Sequence, residues 1–161
     1  MADEIKNVSL GITVDDGYQR VPITNKFGDE IGVFYFNPTD IGIIERYNKM
    51  AESFDAITAP LEAVSDGDKG KDDSWDARYT EALKEATERL YEAVNELFNA
   101  DMAAAFFGKV NPFSPVDGHF YCEQALQAVG QFIGQQFAVE TEKINARIAK
   151  YTNRAQRRAK K

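Results

Sequence analysis

The chain has 161 residues, 43% of them hydrophobic, with 26 acidic against 19 basic side chains and a formal net charge of −7. That is enough chain to bury one real core, too apolar for disorder throughout, and without any apolar run long enough to span a bilayer. A single cysteine, Cys122, excludes an internal disulfide, and the acidic, polar start MADEIKNVSL is no secretory leader, so a cytoplasmic protein is expected.

Residues 1–36 read as a small antiparallel meander. Val8, Leu10, Ile12 and Val14 alternate at period two, as in a half-buried strand. Asp15-Asp16-Gly17 signals a turn, and 20–24 resumes as a short strand that Pro22 pushes to a sheet edge. A second turn over 26–29 leads into a strand at 30–36, where Val33, Phe34, Tyr35 and Phe36 favour extended structure. Asn37 is a good N-cap, Pro38 suits the first helical position, and Asp40 falls in the first turn. Behind them Ile41, Ile44, Tyr47, Ala51 and Phe54 make one apolar face of a helix over about 38–57, ending before Pro60 or running weakly up to it.

Residues 65–73 contain no apolar side chain and predict an exposed linker. A helix over about 75–99 follows, capped by Asp73 or Ser74, with Tyr79, Leu83, Ala86, Leu90, Ala93 or Val94, and Leu97 as its apolar stripe. Two more turns over 101–107 close at Gly108, and Asn111-Pro112-Phe113 connects onward. Ser114 as cap, Pro115 and Asp117 then predict a last helix over 116–151, roughly 50 Å long, whose far part projects or packs on another subunit. The fold class is α+β, mainly α: a meander at 1–36, a helical domain at 37–151 and a basic tail at 152–161.

No catalytic, cofactor or metal site is expected. His119 lies near Ser114, Asp117 and Cys122, but zinc needs about four ligands, and neighbours at one helix start do not converge as a triad must. The acidic stretch 66–77 departs from a calcium loop at Gly70, Lys71 and Ala77. Gly130 and Gly134 form a GxxxG step that suits a close helix crossing, within the chain or between copies.

Charge is unevenly spread. Arg147 to Lys161 holds seven basic residues and no acid, leaving 12 basic against all 26 acidic residues elsewhere, a net of −14. A basic tail on an acidic body pairs with itself, a neighbouring copy or an anionic partner. The acidic body and the lack of a groove-reading motif weigh against nucleic acid.

Two stretches together resemble a known family: FGDEIGVFYFNPTDIGIIERY at 27–47, and FFGKVN at 106–111 followed by a long helix ending YTNRAQRR at 151–158. They are similar to the small tail assembly chaperones of long, non-contractile-tailed phages and prophages of Gram-positive bacteria. That resemblance implies a non-enzymatic, mainly helical protein of the host cytoplasm. It would coat the long tape measure protein while the tail tube polymerises and be absent from the finished virion. The long last helix and its GxxxG step lead to an expectation of self-association, and the basic tail is expected to recruit tail-tube subunits or to pair with an acidic neighbour. The second and last helices are the expected binding surface, with Leu90, Leu97, Phe132 and Phe137 as contacts and Arg154, Arg157 and Arg158 as the basic docking residues. The competing expectation is a virion subunit, of the tail tube, tail completion or head–tail connector.

Overall fold

The structure, a computed structural model, describes residues 10–64 and 74–160. It is α+β and mainly helical, in the order β1 (Gln19–Thr24), β2 (Glu30–Phe36), α1 (Ile43–Glu62), α2 (Trp75–Phe98), α3 (Met102–Phe107), β3 (Pro115–Val116), β4 (His119–Phe120) and α4 (Tyr121–Ala159). The linker expected at 65–73 lies outside the described residues.

β1 and β2 form an antiparallel hairpin in which Val21 faces Phe34 and Ile23 faces Gly32. Asn25 organises the connection, its Oδ1 accepting from the N–H groups of Phe27 and Asp29 at 2.9 and 3.0 Å. The alternation expected to make a further strand does not do so over 10–14, where Leu10 and Ile12 stand almost fully exposed. Val8, the start of that alternation, lies outside the described residues. Turns at Asp15 and Asp16, which accept from the backbone of Gly17 and Tyr18, send this segment away from the hairpin before it can pair.

Phe34 and Phe36 project from one face of β2 and stack with ring centroids 4.1 Å apart. Phe98 and Phe106 meet Phe34 edge-on at 5.4 and 5.7 Å. Gly32 lets α3 close over the strand: a Cβ there would stand 2.3 Å from the Ala105 carbonyl oxygen. α3 itself is capped by Asp101, which accepts from the Ala104 N–H, and Asn95 of α2 accepts from the Ala103 N–H.

Helix α1 starts five residues later than Pro38. Asn37 turns its carboxamide to the Thr39 N–H and to the Asp16 carbonyl, and Asp40 accepts from the Gly42 N–H at 2.9 Å. Two successive turns thus occupy 37–42, and the helix proper begins at Ile43. At its other end α1 runs through Pro60 to Glu62, beyond the expected stop. Proline leaves the carbonyl four residues back without its donor. Here that carbonyl, Ala56, accepts from Arg89 of α2 at 2.6 Å.

α1 and α2 pack antiparallel, Arg46 reaching the Leu97 carbonyl and Lys49 pairing with Glu96. The stripe of Ala86, Leu90, Val94 and Leu97 is buried along α2. Asn99 ends the helix with φ 48°, a left-handed conformation that asparagine tolerates.

The last helix does not begin at Ser114. Asp117 and Gly118 have φ of 52° and 78°, which a helix cannot contain, and they turn the two-residue strands β3 and β4 into a miniature hairpin. α4 starts at Tyr121, whose N–H donates to the Ser114 carbonyl, while that of Cys122 donates to Pro112, both at 2.8 Å. It runs 39 residues, about 58 Å, and seats Cys122, Ala125 and Val129 on the core.

Candidate interaction surface

Helix α1, with the turn that leads into it, carries two apolar stripes. Ile43, Met50 and Ile57 are buried, with Phe54 and Leu61 packed beside them. Ile41, Ile44 and Tyr47, expected on one face with Phe54, are instead 76%, 58% and 56% exposed. Both stripes have three-and-four spacing, so periodicity could not choose between them. Arg46 does. It stands between Ile43 and Met50 on the same face of the helix, and its bonds to Asp40 and the Leu97 carbonyl turn that face inward.

The outward stripe borders a groove. Ile44 and Tyr47 face Leu126, Gly130 and Ile133 of α4 across a cavity of about 220 Å³ floored by Phe98. On the opposite side of α4, Val21, Ile23, Phe106 and Phe132 line a second apolar groove of about 200 Å³. A Cβ at Gly130 or Gly134 would meet nothing within 4 Å, so the GxxxG step serves no crossing inside the described chain.

Beyond Phe137, every residue of α4 and Lys160 after it is exposed. Ile144, Ile148 and Tyr151, at 48%, 54% and 63% exposure, continue the helix face that holds Leu126, Ile133 and Phe137 against the body. The helix is also split by charge. Residues 121–142 carry Glu123, Glu140 and Glu142 and no base, whereas 143–160 carry seven bases and no acid.

The expected contact residues fall into three groups. Leu90 and Leu97, 0% and 2% exposed, are core residues; Leu97 backs the groove between α1 and α4, and Leu90 lines neither groove. Phe132 is half-buried, its ring 6.1 Å from that of Phe36, and Phe137 is half-buried where α4 leaves the body. Arg154, Arg157 and Arg158 are exposed, but on helix rather than on a separate tail, since α4 continues through Ala159. The exposed Ile41, Ile44 and Tyr47 were not singled out as contacts from the sequence. The signal that could have found them was a second stripe at 43, 50, 54, 57 and 61.

Around His119 the side chains diverge. Its Nδ1 lies 3.5 Å from Glu123, whose carboxylate accepts from the Phe120 N–H and so caps α4. Cys122 faces the core, and burial pushes its thiol up to about 11, leaving it protonated at neutral pH. Among the described residues, no three His, Cys, Asp or Glu side chains are grouped to hold a metal ion. No helix of the described residues is long and apolar enough to cross a membrane.

Residues 30–161 match the model of a family described as "Family of unknown function (DUF6673)", and the chain belongs to that family. The matched span begins at β2 and takes in the groove between α1 and α4 and all of α4, but not the β1 wall of the second groove. No curated protein and no solved structure matches the chain.

Proposed function

We propose that this chain is a non-enzymatic assembly chaperone of long, non-contractile phage tails, which binds the tape measure protein and keeps it soluble until the tail tube closes around it. The observation that carries the reading is the exposed apolar face shared by α1 and α4: Ile44 and Tyr47 beside an open groove, then Ile144, Ile148 and Tyr151 on a projecting helix. A tape measure protein is long and helical, and an apolar groove beside an amphipathic helix suits the apolar stripe of such a partner. The segments resembling tail assembly chaperones fall on β2 and the start of α1, on the corner after α3 and on the tip of α4. The acidic body keeps a coated complex soluble by mutual repulsion. Arg154, Arg157 and Arg158 are the residues that recruit tail-tube subunits. The work belongs to the host cytoplasm, and the protein is left out of the finished particle.

Co-expression with the tape measure protein of the same tail gene cluster tests this. Capture and solubilisation of that protein, lost on Ile44→Glu with Tyr47→Glu, is the expected result. A tape measure protein that precipitates regardless, with this chain recovered in purified particles, would replace the reading with that of a virion subunit.

A further inference from the structure

We infer that the projecting half of α4 docks on a second copy of this chain, in an antiparallel pair that sets each basic tip in the other copy's groove between α1 and α4. The inference stands on geometry and charge and does not depend on the tail-assembly reading.

A helical arm of more than five turns with none of the described residues packed against it gains little from propensity alone, and an apolar stripe along it is a cost in water. Ile144, Ile148 and Tyr151 are that stripe. It lies on the same side of α4 as Gly130 and Ile133, whose groove is bordered by the exposed Ile44 and Tyr47. One helix therefore carries both a ridge without a groove and a groove without a ridge. A two-fold axis near the middle of α4 satisfies both at once, as an isologous interface requires. In that register Tyr151 comes over Gly130 and Ile148 beside Ile133, and the open space above Gly130 and Gly134 admits a bulky side chain.

Charge selects the second copy and its direction. A parallel pair would set seven bases against seven bases. The antiparallel pair sets them against 121–138 of the other copy, which carries Glu123 and no base, while Glu140 and Glu142 lie near the axis, Glu140 bonded to Lys143 of its own helix. α1 lies beside that half, and its Arg46 and Lys49 are already paired with Asp40 and Glu96. Like-charge contact penalises the wrong orientation, and opposite charge speeds the right encounter.

Sedimentation equilibrium of the full chain is expected to give a dimer. Ile148→Glu should raise its dissociation constant by about tenfold or more while the near-ultraviolet circular dichroism of the aromatic core stays unchanged. Direction is read by oxidation: the Gly130→Cys/Tyr151→Cys double variant should form a covalent dimer, and Tyr151→Cys alone should not. Cys122 is buried and does not compete. A monomer at all concentrations overturns the inference, as does efficient cross-linking through Tyr151→Cys alone. If such a monomer still captured the tape measure protein through Ile148, the self-docking would fall and the chaperone reading would stand.

Discussion

Arg89 donates to the Ala56 carbonyl at 2.6 Å, serving the acceptor that the residue at Pro60 would serve in an unbroken helix. Arg89→Ala leaves that carbonyl to water and should lower stability by about 1 kcal/mol, the bond being charge-assisted but half-exposed. In a Pro60→Ala background the helix supplies its own N–H, and the same change should cost markedly less. Urea unfolding of the four variants reads the coupling; equal costs in both backgrounds would show that Arg89 does not compensate for the proline.

Gly32→Ala should destabilise by about 1–3 kcal/mol, because a Cβ 2.3 Å from the Ala105 carbonyl must push α3 off the strand. Gly28→Ala is the control. It has open space around it but φ of 84°, so it should cost about 1 kcal/mol through conformation alone. The near-ultraviolet dichroism of the Phe34, Phe98 and Phe106 cluster should change only in the first variant.

Asp40 is held below the usual carboxylate range, first by the hydrogen bond from Arg46 at 2.6 Å and then by the Gly42 N–H. A depressed folded value means stabilisation that is present above the ordinary 3.8 and is lost as pH falls through the folded value. Asp40→Asn should therefore cost about 1 kcal/mol at neutral pH, discounted for partial exposure. The gap from the native chain should close in acid. Melting curves of both proteins between neutrality and strong acid would show it, and a gap independent of pH would sink the account.

Cys122 is closed to solvent at the foot of α4, and burial raises its thiol from 9.0 to about 11. Maleimide labelling at neutral pH should follow the rate at which that foot opens rather than the intrinsic thiol rate. On the alkaline side the unfolded chain loses this proton first, so stability should fall as pH rises from about 9 towards 11. Prompt labelling of the folded protein would contradict the burial.

The helical extent was legible where apolar spacing was unambiguous. Leu90, Val94 and Leu97 define one stripe, and α2 runs within a residue of its expected bounds. The hairpin partner of β2 was legible from the turn at Lys26 to Asp29, since turn chemistry is local, although Asn25, which organises it, was not singled out. What failed depended on partners distant in sequence. The alternation of Leu10, Ile12 and Val14 is a strand pattern with no strand to pair over its described residues. The passage through Pro60 needed Arg89, and the inward face of α1 needed the Leu97 carbonyl. Asp117-Gly118 was readable as a hairpin turn, and the cap at Ser114-Pro115 masked it. For the candidate surface, the sequence placed Phe132 and Phe137 on the right helix but set Arg154, Arg157 and Arg158 on a tail beyond it, where α4 in fact continues. Leu90 and Leu97 could not be told from surface residues until a body stood over them.

Helix α4 is a lever whose base is the whole stretch from Cys122 to Phe137. Two backbone bonds, to Pro112 and Ser114, anchor its start, and Cys122, Ala125, Val129, Phe132 and Ile133 seat it along the core. The overhang beyond Phe137 is about 33 Å long. A bend of about 10° where it leaves the body would carry Lys160 through about 6 Å. The reach of Arg157 and Arg158 is thus governed by the packing of Phe132 and Ile133, residues that neither of them touches.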